Sequence, residues 1–310
     1  MYHYLQILWQ VLLAGSISDA TVWMYHLPTS KCMQVFVGHE CNGDGGGVTA
    51  GCFTPDGKFG LTIGMDGSMR IWAPRTGVCR HVFKFHNTED NAGMEDEGMR
   101  GLTCLAVDGG LDGQLAIAGG EDGSAHVVHL QGKKIVANLR HFEVPQNTGP
   151  SSMAVEGEEE EEIMMASVEA VGFASKIVNP NWVATGGSDG KLKVWDLKFE
   201  GGQCRQTCEV KDGQTGGVTR LQWHPNLPFI VASYSDAAVR LWDARNGNLI
   251  HTLTGGNSNG ENQINDISVE FLSPDSDGGG SAVIVSGNDD GDVKVYNLDV
   301  AAAVARAQSS

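Results

Sequence analysis

An internal repeat constrains this chain more than any other feature. Six segments share one order of parts: a short apolar strand, a strand of small residues, an acidic turn, then an alternating strand that often ends in Trp. They read VLLAGSISDATVWMYHL (11–27), GLTIGMDGSMRIWA (60–73), AIAGGEDGSAHVVHL (116–130), VATGGSDGKLKVWDL (183–197), IVASYSDAAVRLWDA (230–244) and VIVSGNDDGDVKVYNL (283–298). The turn aspartates align at Asp19, Asp66, Asp122, Asp189, Asp236 and Asp290, with spacings of 47, 56, 67, 47 and 54 residues. Six units in register in one chain of 310 residues predict stacked copies of one supersecondary unit.

The shortest spacing is near the period of a four-stranded propeller blade, and the longer ones contain insertions. In KLKVWDL, Leu192, Val194 and Asp196 point one way and Lys193, Trp195 and Leu197 the other. A central propeller strand is covered by blades on both sides, so both faces can be apolar. Asp-Gly or a close variant at each turn supplies the positive φ of a two-residue hairpin. No amphipathic helix of useful length stands out, and no run of 18 apolar residues predicts a membrane span. The first 20 residues are apolar but lack the Lys/Arg start of a signal peptide, and Val11–Leu27 belongs to the repeat.

These residues resemble the WD-repeat family, through Gly38-His39 ahead of the second repeat, Trp195-Asp196 and Trp242-Asp243. The resemblance implies an all-β WD-repeat β-propeller with six recognisable blades over residues 1–299, acidic insertions at 87–100 and 143–167, and a short tail, 300–310. It also implies a hydrogen-bonded His, Ser/Thr, Asp and Trp set inside a blade. His39, Thr62, Asp66 and Trp72 match it in the second repeat, and His141, Thr185, Asp189 and Trp195 in the fourth. The third repeat has Val128 in place of the Trp, and the fifth and sixth lack the His. Within WD proteins, VLLAGSISDATVWMY (11–25), FTPDGKFGLTIGMDGSMRIW (53–72), SVEAVGF (167–173) and VRLWDARNGNLI (239–250) are similar to the angio-associated and Sqt-type ribosome-assembly chaperone family. Members of that family carry about two further blades upstream, so the resemblance implies an N-terminally truncated chain; the alternative is a ring closed by six blades, since propellers run from about four to eight. The sixth repeat also shows no fourth strand after Leu298.

Charge gives the functional expectation. Acidic residues outnumber basic ones 38 to 21, for a net −17, which disfavours direct nucleic-acid binding and favours basic partners. Residues 40–47 carry −2, residues 87–100 carry −4 and residues 143–167 carry −7. Alternating strand directions place these blade-to-blade connections and the acidic turns on one face. The opposite face mixes Lys58, Arg75, Lys133, Lys134, Lys176, Lys198 and Arg245 with Asp56, Asp112, Glu200 and Asp275. The expected contacts for a Lys/Arg-rich protein segment are Glu89, Asp90, Glu95, Asp96, Glu97 and Glu158, Glu159, Glu160, Glu161 and Glu162, with Asp19, Glu121 and Asp289 at the rim. The family resemblance implies that this segment belongs to a large-subunit ribosomal protein. A solvated acidic loop is the simpler reading of residues 156–162 alone.

Other chemistry is weaker. No G-x-S-x-G, G-x-x-x-x-G-K-[ST] or H-E-x-x-H motif occurs. Asn288-Asp289-Asp290-Gly291-Asp292 lacks the distal Glu of a calcium loop, and a hairpin turn explains it. The expectation is no enzyme, no metal and no cofactor, in the cytoplasm with the nucleus as a second location. Seven scattered cysteines fit a reducing compartment and buried thiols. Trp242-Asp243-Ala244-Arg245 matches the W-D-x-R box of cullin–RING ligase receptors, so Asp243 and Arg245 are alternative adaptor contacts, and a signalling scaffold is a third option.

Overall fold

The computed structural model describes residues 2–8, 11–41, 47–85, 101–109, 114–142, 166–210, 215–254, 263–272 and 280–309. They form six antiparallel sheets, each built from consecutive strands. Blade 1 holds β1 (Tyr2–Leu8), β2 (Val11–Ser16), β3 (Thr21–His26) and β4 (Lys31–Val37). Blade 2 holds β5 (Val48–Phe53), β6 (Gly60–Gly64), β7 (Ser68–Ala73) and β8 (Val78–Lys84). Blade 3 holds β9 (Leu102–Val107), β10 (Leu115–Gly120), β11 (Ser124–His129) and β12 (Lys134–Arg140). Blade 4 holds β13 (Val168–Phe173), β14 (Trp182–Gly187), β15 (Leu192–Asp196) and β16 (Gln203–Cys208). Blade 5 holds β17 (Val218–Trp223), β18 (Phe229–Tyr234), β19 (Ala238–Asp243) and β20 (Leu249–Thr254). Blade 6 has three strands, β21 (Ile264–Leu272), β22 (Ser281–Asn288) and β23 (Val293–Asp299).

The aligned aspartates build the turn between the second and third strands, which is longer than the expected two-residue hairpin because the carboxylate needs room to fold back on the backbone: β6 ends at Gly64 and β7 begins at Ser68. Asp19, Asp66, Asp122, Asp189 and Asp236 each accept a hydrogen bond from the backbone N–H two residues on, at 3.0–3.1 Å. This local bond is why the position is acidic. The residue after the aspartate has positive φ in all six blades: Ala20, Gly67, Gly123, Gly190, Ala237 and Gly291. Alanine there carries a steric cost of about 1–2 kcal/mol that glycine avoids.

Small residues in the second strands let the blades stack. A Cβ on Gly119 would lie 2.6 Å from Val168 Cγ1, and one on Gly186 would lie 2.5 Å from Val218 Cγ1. Each valine opens the first strand of the next blade, so a larger side chain would push the blades apart. Five buried apolar clusters join blades 1 and 2, 2 and 3, 3 and 4, 4 and 5, and 5 and 6. Polar bonds cross the same seams. Thr49 Oγ donates to the Leu102 carbonyl at 2.5 Å, and Trp223 Nε1 donates to the Gly172 carbonyl at 3.1 Å.

Antiparallel order sends the first-to-second and third-to-fourth strand turns to one face. The second-to-third turns and the blade-to-blade connections emerge on the other.

Two further features differ from the sequence-based expectation. Residues Val300–Ser309 form a helix, α1, where no helix was predicted. Alanine has high helix propensity but gives little contrast between faces, which hides it from periodicity. Asp299 Oδ1 caps it by accepting the Ala302 N–H at 2.9 Å, and Val300 and Ala303 are buried in the cluster of blades 5 and 6.

The cysteines are also not uniformly buried. Cys52, Cys104 and Cys208 are buried, Cys79 is half-buried, and Cys32, Cys41 and Cys204 are exposed. Cys32, Cys79 and Cys204 occupy one repeat position, opposite Tyr25, Trp72 and Trp195 across the outer hairpin, where the strand borders solvent. Burial pushes the thiols of Cys52, Cys104 and Cys208 up to about 12. Iodoacetamide at mildly alkaline pH is therefore expected to label Cys32, Cys41 and Cys204 in the folded protein and to spare the three buried thiols until denaturant is added. Peptide mass mapping reads the result, and early labelling of Cys52 would contradict this packing.

Candidate functional site

The His, Thr, Asp and Trp side chains of blade 2 meet inside the sheet. His39 Nδ1 lies 3.0 Å from Asp66 Oδ1, and His39 Nε2 lies 2.7 Å from Thr62 Oγ. Trp72 Nε1 donates to the same Thr62 Oγ at 2.7 Å. Every donor has an acceptor when the ring proton sits on Nδ1 and Thr62 donates to Nε2. Blade 4 reverses the ring. His141 Nδ1 lies 2.7 Å from Thr185 Oγ, His141 Nε2 lies 3.3 Å from Asp189 Oδ1, and Trp195 Nε1 donates to Thr185 at 2.9 Å.

Burial alone would push the Asp66 carboxyl up. The His39 ring, the Ser68 hydroxyl and the Glu40 N–H outweigh it and hold the group well below the usual carboxylate range. Asp189 is likewise raised by burial, and His141 and the Lys191 N–H turn the balance to a net lowering. His39, Thr62, Asp66 and Trp72 are all buried, so this arrangement ties strands together and presents no nucleophile to solvent.

Blade 5 joins the same strands with different residues. Trp242 Nε1 donates to Tyr234 Oη at 2.9 Å, so the phenol oxygen supplies the acceptor that Thr supplies in blades 2 and 4, from two positions further along the strand, with Ala232 at the Thr position. Arg240 forms two hydrogen bonds to Asp236, at 3.1 and 2.6 Å, and its guanidinium lies over the Tyr234 ring, 4.4 Å from the centroid. In the sequence this blade is marked only by its missing His. The signal was Tyr234 and Arg240 flanking Asp236, two and four residues away.

Of the expected partner contacts, Asp19, Glu121 and Asp289 are exposed and lie in second-to-third strand turns, hence on one face. Asp19 accepts the Thr21 hydroxyl at 2.7 Å, and hydrogen bonds from Ser16 and Thr21 lower its carboxyl. Glu121 Oε2 accepts the Gly101 N–H at 2.9 Å, and Asp289 Oδ1 accepts Asn265 Nδ2 at 2.5 Å. Among the described residues, the second carboxylate oxygen of each accepts no hydrogen bond. Glu89, Asp90, Glu95, Asp96, Glu97 and Glu158–Glu162 lie outside the described residues. The strand ends that flank them do emerge on the same face: β8 ends at Lys84 and β9 begins at Leu102, while β12 ends at Arg140 and β13 begins at Val168.

The W-D-x-R residues bind each other. Arg245 Nε and Nη2 donate to Asp243 at 3.0 and 2.7 Å, and the Asp243 carboxylate also accepts the Arg245 N–H at 2.9 Å. Asp243 is buried while Arg245 is half exposed. No group of three or more His, Cys, Asp or Glu among the described residues could hold a metal ion. No helix among them is long and apolar enough to cross a membrane.

Six small antiparallel sheets packed side by side, five with an Asp-built turn between the second and third strands and three with an internal Trp hydrogen bond, define a WD-repeat β-propeller fold. Residues 30–73 match the family described as WD domain, G-beta repeat, and residues 181–273 match the Anaphase-promoting complex subunit 4 WD40 domain. The chain is 34% identical over 245 residues to the angio-associated migratory cell protein of Homo sapiens, covering 79% of this chain and 49% of that one. It is 25% identical over 280 residues to an uncharacterised WD repeat-containing protein of Schizosaccharomyces pombe, covering 88% of this chain and 56% of the relative. It is 24% identical over 256 residues to a ribosome biogenesis protein, WDR12 homolog, of Chlamydomonas reinhardtii, covering 76% of this chain and 51% of the relative. The chain thus spans about half the length of the curated relatives it matches.

Proposed function

We propose that this protein is a non-enzymatic binding propeller, a chaperone or assembly factor that holds a basic segment of a large-subunit ribosomal protein on its acidic face. One observation carries this reading. The connections 40–47, 87–100 and 143–167 hold −13 of the net −17, and the strand ends around them share a face with Asp19, Glu121 and Asp289. Clustered charge within about 8 Å, the Debye length at physiological salt, adds locally, speeds capture of a cationic chain and rejects anionic ones. The name of the Chlamydomonas reinhardtii relative, a ribosome biogenesis protein, is in keeping with a ribosomal partner. The Sqt-type likeness in the sequence motifs points the same way.

The test is charge reversal. Glu95→Lys, Asp96→Lys and Glu97→Lys in one protein should weaken binding of a Lys/Arg-rich peptide by tenfold or more, corresponding to about 1.4 kcal/mol. Arg245→Ala, on the opposite face, should leave it unchanged. Equal binding by wild type and reversed protein sinks the proposal. Loss of a ligase-adaptor complex through Arg245→Ala, with no basic-peptide binding, would replace it with the receptor reading.

A further inference from the structure

We propose that the junction of blades 1 and 2, on the face opposite the acidic one, is a second binding site. It takes an extended protein segment with a bulky apolar side chain next to a carboxylate. A cavity of about 390 Å³ opens there, lined among the described residues mainly by Val11, Met24, Met33, Phe53, Pro74 and Arg75. Its volume is near the lower end of ligand pockets and suits one large side chain with its flanks. Met33 is 53% exposed, and two methionines give the wall an adaptable apolar surface.

Arg75 supplies the charge, and comparison between blades shows why it is available. It stands three residues after Trp72, as Arg245 stands three after Trp242. In blade 5 the residue after the Trp is Asp243, which holds Arg245 through two side-chain hydrogen bonds. In blade 2 that residue is Ala73, and among the described residues no carboxylate pairs with Arg75. The neighbouring first-to-second strand turn is self-neutralising, because Lys58 Nζ lies 2.8 Å from Asp56 Oδ2. A guanidinium fork at the edge of an apolar cavity matches a carboxylate that can accept two parallel bonds.

The turn carrying Arg75 is fixed in advance. Thr76 and Gly77 donate their N–H groups to the Ala73 carbonyl at 3.1 and 2.9 Å. Gly77 has φ +69°, and a Cβ there would collide with the Gln34 side chain of β4. Blade 1 and the blade 2 turn are therefore in contact beside the cavity, which lowers the ordering cost of binding. This site selects the opposite charge from the acidic face and does not depend on it.

Fluorescent peptides of the pattern Gly-Ser-Leu-Glu-Ser-Gly, with Phe or Met for Leu and Asp for Glu, serve as probes, alongside Gln-for-Glu and Ser-for-Leu controls. Fluorescence anisotropy should show the Gln control binding at least about tenfold more weakly, the size of one charge-assisted pair. Arg75→Ala should remove the Glu preference, Arg75→Glu should shift it to a Lys-bearing peptide, and Met33→Asp should weaken every apolar peptide. Both positions are exposed, so melting temperatures should stay near wild type, and basic-peptide capture by the acidic face should persist in all three variants. Absence of binding by every probe, equal binding of the Glu and Gln forms, or an unchanged preference in Arg75→Glu would overturn the proposal.

Discussion

Replacing Asp66 with alanine is expected to lower stability by about 3–5 kcal/mol, because it removes the acceptor of the His39 ring N–H, the Ser68 hydroxyl and N–H and the Glu40 N–H together, at about 1–3 kcal/mol for each buried group left unsatisfied. The two side chains are 3% and 1% exposed, so water cannot replace the lost bond. His39→Ala should cost a similar amount, and the double variant less than the sum. Denaturant midpoints measure all three, and a loss below about 1 kcal/mol for Asp66→Ala would contradict the packing described above. The sign of the pH dependence follows from the lowered carboxyl of Asp66. An unfolded aspartate titrates near 3.9, above the folded group, so the stabilisation is complete above that pH and is lost as the pH falls below it. Asp66→Asn should therefore flatten the acid limb of the stability curve below about pH 4 and leave its slope near neutrality unchanged.

Trp242→Ala is expected to cost about 3–5 kcal/mol, the range for emptying a buried aromatic site. Trp242 is 1% exposed and packs in the cluster that joins blades 4 and 5. Tyr234→Phe separates the polar part of that effect from the apolar part. It keeps the ring under Arg240 and removes only the acceptor of the Trp242 N–H, which should cost about 1–3 kcal/mol. If Tyr234→Phe were neutral, the phenol would not be standing in for the threonine of blades 2 and 4. Chemical denaturation of both variants decides this.

The turn aspartates were legible because their role is local: one carboxylate, one N–H two residues on, one positive φ. The His–Thr–Asp–Trp sets of blades 2 and 4 were legible because the same four residue types recur in register. Blade 5 was not, since Tyr234 and Arg240 solve the same hydrogen-bonding problem with unrelated side chains. Helix α1 was hidden because Ala301–Ala303 carries no contrast between faces. Exposure of Cys32 and Cys204 was missed because it depends on lying in an outer strand, which pattern alone does not fix. Arg75 became informative only when blade 5 showed what Asp243 does for Arg245. Among the acidic-face residues, sequence placed the charge on one end of the blades, and the strand ends around 87–100 and 143–167 lie at that end.

The central claim is that this end binds a cationic chain electrostatically. Its most direct test is the affinity of a labelled Lys/Arg-rich peptide, measured by anisotropy from about 50 to about 300 mM salt, against the same peptide with Gln in place of every Lys and Arg. The account predicts tight binding of the basic peptide at low salt, a steady fall in affinity as salt rises, and little binding of the Gln peptide throughout. Affinity independent of salt, or equal for the two peptides, would contradict it.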